Sequence, residues 1–176
     1  MQYRRAKIKG GTWFFTANLA DRSGSLLTDH IDLLRQVTAN VQNRHPFRID
    51  AIVILPEHLH AIWTLPPGDD DFPTRWMLIK AGFSRGLARK GLWFADRSGK
   101  GERNIWQRRY WEHLICNEDD LAKHVDYIHY NPVKHRHANR VCEWPYSSFH
   151  RYVEKGLLPL DWAGGDVAEI KAGEAF

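Results

Sequence analysis

Two periodicities alternate along this chain. Residues 12–19 (TWFFTANL) are aromatic or β-prone and follow a Gly-Gly turn, which predicts a first strand. Leu26, Leu27, Ile31, Leu34, Val37 and Val41 then recur at helical spacing, with Thr28 or Ser25 as N-cap, and predict one amphipathic helix over residues 26–41 that Pro46 stops. Residues 47–55 and 58–65 return to apolar or alternating runs, separated by Pro56-Glu57 and closed by Pro66-Pro67-Gly68, and predict a strand pair. A second helix is predicted over residues 74–92, where Trp76, Ile79, Phe83 and Leu87 share a stripe, followed by a basic loop over 95–104. Residues 110–116 predict a fourth strand and residues 118–131 a third helix, stopped by Pro132. The order β-α-β-β-α-β plus a helix is a split βαβ pattern. It predicts an α+β fold with a ferredoxin-like core: a four-stranded antiparallel sheet, two helices on one face and the last helix on the other.

Length and composition narrow the class without changing that picture. The 176 residues suit a single domain, expected over 1–160, with 43% hydrophobic and 12% aromatic content that excludes disorder as the main state. Two cysteines, Cys116 and Cys142, are too few for a disulfide framework or a cysteine-based zinc site. No run approaches the ~20 apolar residues that span a bilayer, and the basic start leads to no signal-type apolar core. A soluble, cytoplasmic protein with no membrane partner is expected.

Charge changes the picture more. The net charge is +4, but residues 161–176 hold four acids and one base, so residues 1–160 carry +7 and an acidic C-terminal tail of 161–176 follows. Between Arg75 and Tyr110 ten bases face two acids. Phosphate is the natural counter-ion of such a run, although a solvated helix face with a basic loop carries the same pattern. The sign change at Asp161 predicts a tail that lies over the basic groove and competes with nucleic acid.

Candidate chemistry centres on His58-Leu59-His60. Alternation sends both imidazoles to one face of the third strand and Leu59, Ala61 and Trp63 to the other, so the pair converges as metal ligands do. With ten histidines, roughly half an H-x-H is expected by chance, and His135-Arg136-His137 is a second copy, assigned to a loop or phosphate-facing surface. The third helix supplies context. Leu121, Val125 and Ile128 define its apolar stripe with His124 beside it; Tyr127 and Asn131 are i, i+4 neighbours at the edge of the stripe, and Tyr130 points away to solvent. If this helix crosses the sheet face bearing the histidines, two imidazoles and an amide oxygen hold Mg²⁺ or Mn²⁺ against a phosphodiester while Tyr127 attacks phosphorus. A free phenol has a pKa of about 10, so Tyr127 needs support, for which Lys134 is the nearest cation in sequence. Helix-edge packing of Tyr127 and an ordinary helix terminus at Asn131 are the plain alternatives.

Read together, residues 10–16 (GGTWFFT), 55–66 (LPEHLHAIWTLP), 105–113 (IWQRRYWEH), 127–135 (YIHYNPVKH), 144–150 (WPYSSFH) and 161–164 (DWAG) closely resemble the REP-associated tyrosine transposases. These are relatives of single-tyrosine insertion-sequence transposases within the HUH nuclease superfamily, and the resemblance covers roughly residues 3–165. It implies that His58 and His60 are metal ligands, Asn131 the third ligand and Tyr127 the nucleophile. It further implies metal-dependent cleavage and rejoining of single-stranded DNA at repetitive extragenic palindromic hairpins, through a 5′-phosphotyrosine link and a free 3′-OH. A bacterial, nucleoid-associated setting follows. Alternation places Glu57 opposite the histidines, without a metal role. Lys80, Arg85, Arg89, Lys90, Lys100, Arg103, Arg108 and Arg109 are expected to follow DNA phosphates. Trp106, Tyr110 or Trp111 could stack on unpaired bases, but Trp106 and Trp111 suit core positions better. One complete set of ligands suits a monomer over a homodimer. A non-catalytic nucleic-acid-binding module on the same fold, or a metal phosphodiesterase using water as nucleophile, are the rival readings.

Overall fold

The computed structural model describes residues 8–92, 105–164 and 172. Four strands, β1 (Thr12–Asn18), β2 (Arg48–Ile54), β3 (His58–Thr64) and β4 (Trp111–Leu114), form one sheet in the order β2-β3-β1-β4, with every pair antiparallel. This is the expected ferredoxin-like arrangement. Period-2 alternation splits its side chains into two cores. On one face Trp13, Phe15, Ala17, Leu59, Ala61 and Trp63 pack against helices α2 (Ile31–Arg44) and α3 (Phe72–Arg89). On the other, Phe14, Ala51, Val53 and Ile62 meet Val125, Tyr127 and Ile128 of α4 (Glu118–Lys134). Fully burying one such aromatic side chain contributes about 2–3 kcal/mol, so each face is anchored several times over.

The first predicted helix is two. A short α1 (Leu26–Asp29) breaks from α2 at His30, because the Leu27 N–H donates to Pro56 O at 3.1 Å and ties that turn to the β2–β3 connection. Helices α2 and α3 approach so closely that a Cβ at Gly82 would lie 2.7 Å from Val37 Cγ1, and one at Gly86 would lie 2.5 Å from Leu33 Cδ1. A side chain at either position would therefore have to displace Val37 or Leu33 across the helix contact.

The third predicted helix does not stop at Asn131; α4 runs through Pro132 to Lys134. Proline removes one intrahelical bond, but so near the end few remain, Pro132 is buried, and the His135 N–H closes the last turn on Asn131 O at 3.0 Å. Seven residues are two turns, so the extension sets Lys134 about 20° from Tyr127 on the helix surface. At its start, the Asn117 side chain accepts from the Asp120 N–H, and Glu118, Asp119 and Asp120 complement the helix dipole.

After α4, a 3-10 turn (Val141–Glu143) and α5 (Phe149–Glu154) cover the outer edge of β2. The Ile54 N–H donates to Tyr146 O at 2.9 Å and the Ser148 N–H to Ile52 O at 2.8 Å, pairing backbone groups that an edge strand would otherwise expose. Tyr130, expected in solvent, packs instead against Gly164, where an added Cβ would lie 2.9 Å from its ring. No helix among the described residues is long and apolar enough to cross a membrane.

Candidate active site

His58 and His60 project from β3 to the α4 face, fully buried, with ring centroids 4.9 Å apart at 81°. Each has its Nδ1 engaged by a neighbour. His58 Nδ1 lies 2.9 Å from Glu57 Oε1, and His60 Nδ1 lies 2.7 Å from the hydroxyl of Thr16, its partner across the β1–β3 register. The Thr16 hydroxyl donates to the carbonyl of Ala172, so it accepts from His60. Both rings therefore carry their proton on Nδ1 and leave the Nε2 lone pair for another partner. His58 Nε2 is buried with no hydrogen-bond partner among the described residues.

Alternation had set Glu57 on the opposite face. It belongs to the turn before β3, where alternation does not apply, and its carboxylate folds back onto His58. Partial burial raises its pKa, but the hydrogen bond from His58, with Arg22 at 3.5 Å, outweighs this and lowers it to about 2. Glu57 is thus an ionised carboxylate that holds His58, a device seen behind many metal-binding imidazoles.

Above this pair, α4 brings Tyr127, 2% exposed, with its ring 5.3 Å from that of His60. The Lys134 ammonium donates to the Tyr127 hydroxyl at 2.9 Å and sits 4.6 Å from its ring centroid. Asn131 is fully buried one turn further on. His135, expected in a loop or surface copy of the motif, caps α4 and stands 5.1 Å from the His58 ring. With Arg22, Pro56, Glu57 and His137 it lines an open cleft of about 500 Å³ beside His58. The structure thus gathers the predicted His58, His60, Tyr127 and Lys134. It adds Thr16, Glu57 and His135, of which only Glu57 and His135 carried a sequence signal, as motif neighbours.

The basic residues divide. Arg85, Arg89, Lys90, Arg108 and Arg109 are exposed, whereas Lys100 and Arg103 lie outside the described residues. Phe83 of α3 packs on Trp106 at 5.6 Å, and the Gln107 N–H donates to Asn18 O, so the C-terminal part of α3 and the 106–109 segment meet at the end of the sheet that bears His58. Trp106 is buried in the core, and Trp111 packs against the α4-side core, which leaves neither as an open stacking platform. Lys80 departs from the expected phosphate contact: its ammonium donates to Gln107 O at 2.9 Å and lies 5.2 Å from the Tyr110 ring centroid.

Burial lowers the Lys80 pKa from 10.5 to about 8. Between pH 8 and 10.5 the unfolded chain keeps a proton that the folded chain has shed. Stability should therefore rise across that window, by up to about 3 kcal/mol. Lys80→Met should remove this rise; urea unfolding of both proteins at pH 8 and pH 10 measures it, and equal slopes would refute it.

The donor set fits a divalent cation. Two buried imidazoles have their Nδ1 atoms engaged, and His58 Nε2 is buried with no partner among the described residues, a nitrogen donor of the kind a divalent cation takes. The sheet-borne histidine pair thus lies beneath a tyrosine whose hydroxyl accepts from a lysine. No family model matches the chain, but individual proteins do. It is 51% identical over 173 residues to the REP-associated tyrosine transposase of Escherichia coli K12, covering 98% of this chain and 96% of that protein. A Haemophilus influenzae protein provisionally assigned to the same family is 46% identical over 170 residues, covering 96% and 97%. The solved structure of a REP-associated tyrosine transposase bound to a REP hairpin superposes with a TM-score of 0.87 at 50% identity, covering 100% of this chain and 98% of that one. The chain belongs to the REP-associated tyrosine transposases.

Proposed function

We propose that this protein cleaves and rejoins single-stranded DNA beside repetitive extragenic palindromic hairpins, with Tyr127 as nucleophile and His58, His60 and Asn131 holding Mg²⁺ or Mn²⁺. The observation that carries this reading is the Lys134–Tyr127 hydrogen bond beside His60, which sets a cation on the phenol oxygen where it stabilises the phenolate formed when the proton leaves. The Tyr127 phenol gives up its proton to solvent and its oxygen bonds to phosphorus, the phosphorus–O3′ bond breaks, and the departing O3′ takes up a proton from water, so that strand ends in a 3′-OH. Because the ester energy stays in the phosphotyrosine link, the same hydroxyl rejoins the strand by the reverse step. Glu57 and Thr16 keep His58 and His60 in the tautomers that a cation needs. A divalent cation held by His58, His60 and Asn131 would supply Lewis-acid polarisation of the scissile phosphodiester.

Arg85, Arg89, Lys90, Arg108 and Arg109, joined by Lys100 and Arg103, are the proposed phosphate contacts, and all but the last two are exposed toward the His58 end of the sheet. One chain carries histidines and tyrosine together, which suits a monomer. A chromosomal-repeat substrate suits a bacterial cytoplasm, at the nucleoid. The division into a catalytic domain of 1–160 and an acidic tail of 161–176 acquires a functional sense from Ala172, which is buried beside Tyr127 and Phe14 and accepts from Thr16. The tail is proposed to restrain access to the site. Removing residues 165–176 should raise cleavage at low salt several-fold, with the gain shrinking as salt increases; equal rates across a salt series would refute the tail's role.

The reading is tested by incubating the protein with a labelled strand carrying a REP hairpin and Mg²⁺ or Mn²⁺, then separating products on a denaturing gel. A metal-dependent protein–DNA adduct with a free 3′-OH fragment is expected. Cleavage without an adduct would make water the nucleophile, and tight binding without cleavage would make the chain a binding module.

A further inference from the structure

We propose that His113, Asp120 and His124 form a second metal site, for a borderline transition-metal ion such as Zn²⁺, that clamps the start of the tyrosine helix to the sheet edge. His113 stands on the edge strand β4, opposite Phe14, while Asp120 and His124 are i, i+4 neighbours in the first turns of α4. The three converge. His113 Nε2 lies 2.9 Å from Asp120 Oδ2, His124 Nδ1 lies 3.0 Å from Asp120 Oδ1, and one ligand atom from each residue falls within 4.8 Å of the others. The two imidazoles stack at 4.7 Å with 16° between their planes.

Two imidazoles and one carboxylate, with a water as fourth ligand, are a recurring Zn²⁺ donor set. Bonds of about 2.0–2.1 Å in tetrahedral geometry separate ligand atoms by about 3.3 Å, so the two imidazole–carboxylate spacings already fit to a few tenths of an ångström, while the imidazole nitrogens, within 4.8 Å, close by up to about 1.5 Å as His124 Nδ1 leaves the Asp120 carbonyl 2.8 Å away. The carboxylate is held for the purpose: Asp120 Oδ2 also accepts from the Cys116 N–H at 2.9 Å. Burial lowers the His124 pKa, leaving the imidazole neutral as a ligand must be. His113 has 38% of its side chain exposed, which opens the group to an entering ion and its water, while His124 is buried.

The group is separate from the His58–His60 pair. In sheet order β1 lies between them, and the Phe14 ring touches a member of each, 4.8 Å from His124 and 5.5 Å from His60. Both groups offer two nitrogens and one oxygen, but here the oxygen is an anionic carboxylate instead of a neutral amide, which suits Zn²⁺, Co²⁺ or Ni²⁺. Because His124 lies one turn before Tyr127, an ion here fixes the nucleophile's helix against β4 of its own chain.

The test uses metal-stripped full-length protein titrated with Zn²⁺ against a competing chelator, with thermal unfolding as a second readout. The His58→Ala/His60→Ala variant should still bind one Zn²⁺ and be stabilised by it. Adding His113→Ala to that variant should cut the remaining affinity by more than the ~10–100-fold that loss of a supporting partner costs, and abolish the thermal shift. His113 is exposed enough that its replacement should leave the fold intact, which circular dichroism of the stripped proteins checks. Should the double variant bind no Zn²⁺, or the triple variant bind it as tightly as the double, the three residues are only an ion-pair network and the proposal fails.

Discussion

Tyr127→Phe should abolish the covalent adduct and lower strand cleavage more than about 10⁴-fold, the scale set by removing a nucleophile, while hairpin binding stays within about twofold. The substitution is nearly silent for folding. The ring keeps its edge contacts with Phe14 at 6.1 Å and His60 at 5.3 Å, and it loses the bond from Lys134, an exposed residue whose ammonium can turn to water. A net cost of about 1 kcal/mol or less is expected in denaturant unfolding. Tyr130→Phe is the control, because Tyr130 packs under Gly164 and away from the histidines, and it should leave the adduct intact. Lys134→Met should fall between them, slowing cleavage about 10²-fold with the adduct still detectable, since it removes the cation without removing the phenol. An adduct that persists in Tyr127→Phe would move the nucleophile elsewhere and dismantle the proposed site.

How much of this was legible beforehand depends on the range of each interaction. Strand alternation is strictly local, and it placed His58 and His60 on the face away from Leu59, Ala61 and Trp63, as the structure has them. The i, i+4 relation of Tyr127 and Asn131 is equally local. Where the reading missed, a rule was carried past its domain or a partner lay far off in sequence. Pro132 reads as a helix stop in sequence, which conceals the two-turn relation that brings Lys134 onto Tyr127. Glu57 was assigned a strand face although it sits in a turn. Thr16 supports His60 only through the β1–β3 register, 44 residues away, and Ala172 reaches Thr16 across 156. Lys80 lies in a basic run, yet its position on α3 turns it in against Tyr110 and Trp106, a distinction that charge counting does not draw.

Replacing the histidines should separate chemistry from binding. His60→Ala removes a buried imidazole from among Thr16, Phe14 and Tyr127, so cleavage with Mn²⁺ or Mg²⁺ should drop more than about 10³-fold, and His58→Ala should do the same. Hairpin affinity, proposed to rest on exposed arginines and lysines and not on the buried pair, should change little in either variant, and chelation of metal from the wild-type protein should reproduce that division. Glu57→Gln is the finer probe. The amide oxygen still accepts from His58 Nδ1, but the negative charge behind the ring is gone, so half-saturation of cleavage should need about 10–100-fold more metal, with the maximal rate restored at high concentration. That shift is specific to an acid acting through a metal-bound imidazole. If Glu57 merely braced the turn, by its 3.5 Å contact with Arg22, the variant would lose stability without any change in the metal dependence. Wild-type cleavage by His60→Ala at ordinary metal concentrations would exclude the histidine pair as the metal centre, and the Asp120 group would then be the next set of ligands to test.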